Sequence, residues 1–233
     1  MKPVKKGASS TQYSEYKKAK PLLLARLGEQ CSYCERSGDP QDLHVEHIYP
    51  KDPHPELELE WTNFLLACNT CNSYKNLFLG NGRQVNLEAR FAWPHLDNTF
   101  EAYLYKSTGE VLIAPTVPQA MVPTLEATRD MVGLLLSPAV ADNYQKLGVA
   151  YDGATKRSQM WGIALGFRLM FIMNPSQSNA EAIARGASVM GYFSVWMEVF
   201  SGIQQVRLHL INAFKADSDC FDNNSNPVPK GRL

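Results

Sequence analysis

The stretch from Cys31 to Lys75, CSYCERSGDPQDLHVEHIYPKDPHPELELEWTNFLLACNTCNSYK, decides the fold, and the rest of the chain reads outward from it. Two C-x-x-C pairs, Cys31/Cys34 and Cys68/Cys71, bracket 33 residues. Each pair can form a tight knuckle that offers two thiolates to one ion. Four thiolates that close a tetrahedron leave no open coordination position, so such an ion is structural zinc rather than a catalytic one. The long spacer is permitted because loop-closure cost grows only with the logarithm of length. Two disulfides or four buried thiols are the competing reading. Zinc is favoured because the first residues, MKPVKKG, carry no apolar run of a secretory leader. On the same ground the chain is expected in the cytoplasm.

Within and just beyond this bracket lie His44, Glu46, His47, Lys51, Asn63, Asn72 and Lys75. Those residue types suit phosphodiester hydrolysis. A phosphodiester is an anion that repels hydroxide, so its cleavage needs a base to generate the nucleophile and a cation to absorb charge on the phosphoryl and leaving oxygens. Locally, Leu43 and Val45 alternate with His44 and Glu46, which predicts a strand over 42–48 running into the proline-rich loop YPKDPHP. A second strand is expected over 61–67. A short helix over 69–79 should end at Gly80, with Asn72 and Lys75 sharing a face turned toward Glu46 and His47.

The string Glu46-His47, then Trp61-x-Asn63-Phe64-Leu65-Leu66-x-Cys68, then Cys71-Asn72-x-x-Lys75, resembles the HNH endonucleases with a ββα-metal site, in their zinc-knuckle branch. The resemblance implies roles residue by residue. Glu46 and Asn72 would be ligands of a catalytic divalent ion, His47 the general base, and Asn63 the residue that orients it. Lys75 would touch phosphate; Lys51 is the further phosphate candidate on the loop. Glu stands where Asp is commoner, and Asn stands in the third motif place. A neutral oxygen ligand there favours Mg²⁺ or Mn²⁺ over Zn²⁺ at the active site. The basic start, C-x-Y-C-E, E-H-x-x-P-K and W-x-N also resemble HNH proteins that accompany an ATPase in retron or Septu-like bacterial defence modules. That implies an antiviral effector acting on nucleic acid, DNA before RNA, with a protein partner.

Two other classes contend for the same residues. His44-Val45-Glu46 with Cys68-x-x-Cys71 imitates a zinc nucleobase deaminase, but Ala67 stands where a Pro is expected and Cys31/Cys34 would have no role. A zinc-knuckle binding or adaptor module with vestigial nuclease residues is the non-enzyme alternative.

At 233 residues and 45% hydrophobic, the chain can bury a sizeable core. Its 23 basic and 23 acidic residues cancel, which is unusual for a protein that holds nucleic acid unaided. The distribution is uneven. Residues 1–30 hold seven basic and two acidic residues, a net of +5, whereas residues 31–80 hold three and eight, a net of −5.

The expected fold class is α+β. A basic arm and helix occupy 1–30, with residues 1–12 mobile and the helix over about 14–27 either packing with a solvated basic face or touching nucleic acid. The zinc-stapled core takes 31–90, and a β-hairpin 91–115 turns at Ser107-Thr108-Gly109. The Trp93-Pro-His-Leu-Asp-Asn98 stretch packs there or covers the active site. Residues 116–233 are mainly helical, over about 121–135, 139–173 with breaks, 178–200 and 202–215, before an irregular tail. The aromatic and Met-rich segments 158–173 and 187–200 fall short of a membrane span. They suggest a buried bundle, or an interface with another protein or a second copy.

Overall fold

A computed structural model describes residues 1–134 and 153–233. The expected helix over 139–173 therefore falls partly outside the described residues. Strands β1 (Leu43–His47) and β2 (Phe64–Cys68) pair antiparallel, in a register running from Leu43 opposite Cys68 to His47 opposite Phe64. Helix α2 (Asn69–Leu79) follows β2 without a loop and stops at Gly80, whose positive φ of 69° closes the helix end. These three elements make the expected ββα unit. Helix α1 (Lys20–Leu27) starts with Pro21 in its first turn, where the missing N–H is harmless, and buries Leu23 and Leu27 toward the hairpin.

Two short helices, α3 (Leu87–Arg90) and α4 (Thr99–Ala102), lead into the second hairpin, β3 (Tyr103–Tyr105) with β4 (Val111–Ile113). Helices α5 (Val122–Met131), α6 (Gly153–Met173), α7 (Gln177–Met190), α8 (Phe193–Val199) and α9 (Gln204–Ala213) form the helical half. The architecture is thus α+β, as the sequence predicts. Among the described residues, no helix is long and apolar enough to cross a membrane.

The helix expected over 178–200 is two helices. Gly191 (φ 81°) and Tyr192 (φ 63°) break it, because the backbone there passes against the first knuckle. A Cβ on Gly191 would lie 2.4 Å from the Ser37 nitrogen and 2.8 Å from the Glu35 carbonyl oxygen, so only glycine fits. The contact is hydrogen-bonded: Tyr192 N–H donates to the Glu35 carbonyl, and the Glu35 carboxylate accepts from the N–H and hydroxyl of Ser194. The helical half therefore braces the cysteine knuckle.

The first six residues of the amino-terminal arm dock on the fold, while residues 7–12 are largely exposed. Met1 and Val4 are buried in the same core as the helices, and the Lys2 ammonium donates to the carbonyls of Leu27 and Phe214 and to Gln30 Oε1. Lys6, also buried, donates to the carbonyls of Thr62 and Phe64 beside β2. Burial lowers these ammonium pKa values, to about 7 for Lys2 and about 8 for Lys6. Four apolar methylenes in each stem explain how a lysine can thread a core and still place its head on carbonyls.

The tail is irregular yet packed. Asn98 Nδ2 donates to the carbonyls of Cys220 and Val228, and Arg232 reaches Asp97 and the carbonyls of Ala89 and Phe91. Trp93 is fully buried, with its Nε1 on the Leu87 carbonyl. The Trp93–Asn98 stretch thus anchors the tail and does not cover the active site.

Candidate active site

The four cysteines of the two knuckles are all buried, and their sulfurs lie within 4.8 Å of one another, with Cys34 Sγ 3.8 Å from Cys68 Sγ. A disulfide would need about 2.05 Å. A tetrahedron with metal–sulfur bonds of about 2.3 Å has edges of about 3.8 Å, so the spacing fits a zinc ion. Without an ion, four thiols so close cannot all ionise. Hydrogen bonds from Cys31, Cys34 and Cys71 lower the Cys68 pKa, while burial raises that of Cys31. The set fits a single structural metal ion, whose charge would let the thiolates coexist.

His47 ends β1 and lines an open cleft of about 560 Å³ together with Tyr16, Lys51, Asp52, Asn72 and Asn76. Its ring is held edge-on between Tyr16 (4.9 Å between centroids) and Phe64 (5.3 Å). His47 Nε2 lies 3.0 Å from the Glu58 carbonyl oxygen. A carbonyl only accepts, so in the neutral ring Nε2 carries the hydrogen and Nδ1 keeps the basic lone pair. Burial pushes the His47 pKa below its ordinary value of 6.5, which keeps the imidazole neutral and able to accept a proton.

Asn63 sits just before β2. Its Oδ1 accepts from Tyr49 N–H at 2.7 Å, and its Nδ2 donates to the carbonyls of Tyr49 (3.0 Å) and Leu57 (3.1 Å). Asn63 does not touch the His47 ring. It clamps the loop that follows His47 and that presents the Glu58 carbonyl, so any orienting effect is indirect.

Glu46 and Lys75 depart furthest from the sequence expectation. Both are 0% exposed, and they form an ion pair inside the ββα unit. Glu46 Oε2 accepts from Tyr33 O–H at 2.7 Å, and Lys75 donates to the carbonyls of His47 and Ile48. Lys75 therefore does not reach phosphate. The physical reason is helical phase: Lys75 lies one turn after Cys71 and beside Tyr74, on the buried face of α2, while Asn72 and Asn76 form the exposed edge. The site residues converge only in part. His47 and Asn72 line one cleft, and Glu46 does not line it.

The donor chemistry nonetheless suits a hard divalent cation. Glu46 and Asn72 offer only oxygen, and Glu46 Oε1 is buried beside the Lys75 ammonium without an aligned hydrogen bond. That oxygen sits where positive charge is already required.

Sequence reasoning missed Tyr33, Tyr16 and Asn76. Tyr33 lies between the cysteines of the first knuckle, a position whose side chain must leave the metal and turn into the hairpin. Asn76 is one turn past Asn72, and its Nδ2 approaches Asn72 Oδ1 at 3.4 Å. His44 is exposed and His54 is buried against Tyr49, 3.3 Å from Glu56, so neither enters the cleft of His47.

Comparison with known proteins bears on this geometry directly. Residues 31–77 match the HNH endonuclease family. The matched segment begins at the first cysteine and ends in α2, so it holds both knuckles, the hairpin and the cleft residues His47, Lys51, Asn72 and Asn76, but not Tyr16. Over 58 residues, 24% of this chain, the sequence is 40% identical to a Septu protein PtuB from Bacillus thuringiensis. The similarity spans 23% of that protein. An HNH segment with a four-cysteine cluster is therefore set in a longer chain whose helical half lies outside the family match.

Proposed function

We propose that the protein is a metal-dependent HNH endonuclease that hydrolyses phosphodiester bonds of nucleic acid, DNA in preference to RNA, as a cytoplasmic effector of bacterial antiphage defence. The observation that carries this reading is the His47 imidazole, held neutral by burial, fixed through Nε2 on the Glu58 carbonyl and placed with Asn72 in an open cleft. In that arrangement Nδ1 takes the proton of an attacking water, and the Tyr16 and Phe64 rings hold the imidazole plane during transfer. Asn72 would hold Mg²⁺ or Mn²⁺ from the cleft, joined by Glu46 once its carboxylate exchanges Lys75 for the ion, and the ion's chemistry is to offset charge developing on the phosphoryl group. Lys51, exposed at the rim of the cleft and paired at 3.2 Å with Asp52, is placed to meet a phosphate. The cysteine site holds structural zinc, and residues 31–90 are the catalytic unit.

Residues 116–233 are proposed to dock a protein partner, either an ATPase of the defence module or a second copy. Support comes from α6, whose outward face exposes Ile163, Leu165, Leu169, Met170, Ile172 and Met173. The match to a Septu protein supports the defence setting.

The deaminase reading loses its site, because Cys68 and Cys71 close with Cys31 and Cys34 while His44 stands apart in solvent. The adaptor reading is favoured by one observation, the occupation of Glu46 by Lys75. His47→Ala separates them. The nuclease reading expects cleavage of an oligonucleotide to fall by about 10² to 10⁴-fold with zinc content and fold unchanged. An unchanged cleavage rate would contradict it.

A further inference from the structure

Residues 1–30 carry seven basic side chains, and the fold consumes five of them. Lys2 and Lys6 are buried on carbonyls, Lys5 pairs with Asp219 at 2.6 Å, Lys18 with Glu15 at 3.5 Å, and Arg26 donates to the carbonyls of Lys6 and Ala8. Lys17 and Lys20 are the two that remain, and among the described residues neither has an acidic partner. Both line a cavity of about 370 Å³ with Tyr16, His44, Asn69 and Asn72, and no carboxylate lines it.

That cavity shares Tyr16, Val45 and Asn72 with the cleft of His47, so the two adjoin across these residues and together line one channel-like surface. At the far side of His47 stands Lys51, whose charge Asp52 partly cancels. Positive charge is therefore concentrated on the Lys17 side. The approach to the cleft combines two unpaired ammonium groups, an exposed imidazole and two carboxamides, a set that donates hydrogen bonds to anionic oxygens in series.

We infer that this second cavity is the berth for the strand backbone adjoining the scissile bond, with Lys17 and Lys20 holding the next phosphates of the polynucleotide. The inference rests on the reading of the His47 cleft as a phosphodiester-hydrolysing site. It assigns substrate binding to the helix that precedes the matched HNH segment. It also explains how a chain with no net charge can engage a polyanion, since the usable cations are grouped at the channel.

The test is fluorescence anisotropy with a short labelled deoxyoligonucleotide across a salt series, on the His47→Ala background so that the probe stays intact. Lys17→Gln/Lys20→Gln should lower the slope of log affinity against log salt by about 1.4 to 1.8, the value for two lost phosphate contacts. Lys5→Gln/Lys18→Gln, which removes the same charge outside the channel, should leave the slope unchanged. Equal slopes for the two double variants would overturn the berth. If the native protein fails to cut the probe and the Lys17/Lys20 effect is present, the hydrolase reading falls and the berth stands. If the native protein cuts and the effect is absent, the berth falls alone.

Discussion

The cysteine site and the His47 cleft flank the same helix, α2, and were read from the same motif, yet they are built in opposite ways. The cysteine site is closed: four like donors, all buried, within 4.8 Å of one another, contributed by two short knuckles. The cleft is open, and its donors come from a strand end, a loop and a helix edge, with one of them, Glu46, turned inward onto Lys75 and Tyr33. A structural metal site needs only short-range spacing and a shared interior. A catalytic site must leave a face uncovered, so its donors are positioned by the packing of residues that never touch substrate.

The largest expected consequence of that difference is in stability. Cys31→Ser or Cys71→Ser should release zinc and unfold the ββα unit, because binding and folding of a structural zinc site are one equilibrium of about 10 to 16 kcal/mol in small domains. Elemental analysis and circular dichroism would read both losses together. Asn72→Ala, by contrast, should keep the zinc and the fold and lose metal-dependent cutting. Similar effects of the two substitutions on zinc content would erase the distinction between the sites.

A smaller effect tests the buried ion pair. Lys75→Met leaves the Glu46 carboxylate without its cation at a fully buried position, a change expected to destabilise the protein by about 3 to 5 kcal/mol. Glu46→Gln together with Lys75→Met should recover most of that loss, because no isolated charge remains. Thermal melts of the single and double variants give the answer. A Lys75→Met protein with native melting and reduced oligonucleotide affinity would return Lys75 to the phosphate role the sequence suggested.

The Lys75 case marks where the sequence stops being legible. The hairpin, α2 and its end at Gly80 followed from alternation, helical spacing and a glycine stop, all short-range properties. The cysteine cluster followed from spacing and chemistry. Lys75 could not be placed, because residues 71, 72, 75 and 76 lie on adjoining strips of one helix, and only packing against Tyr33 and β1 decides which strip is inside. The amino-terminal arm misled for a related reason. Its lysines and glycine read as solvated, and no local pattern encodes that carbonyls of Leu27, Phe214, Thr62 and Phe64 converge to receive Lys2 and Lys6. The break at Gly191 likewise depends on a distant knuckle.

The smallest effect is on pH dependence. The folded His47 pKa lies below 6.5, so the unfolded chain binds the proton more readily; stability is full above pH 6.5 and declines as pH falls through the folded pKa. The base remains neutral over the same range. The acid limb of a cleavage profile should therefore lie below pH 6.5. A limb above pH 6.5 would mean that His47 gains an anionic partner in the working state.

The measurement that bears most directly on a closed structural metal beside an open catalytic one is a chelation experiment on the native protein. After a brief pulse of EDTA and rapid desalting, which removes the ion of the open cleft before the buried one, zinc is counted and oligonucleotide cleavage is followed before and after Mg²⁺ or Mn²⁺ is restored. Our account expects one zinc per chain retained throughout, cleavage lost on chelation and regained with the added ion. Cleavage that persists through chelation, or that disappears only in step with the zinc, would contradict it.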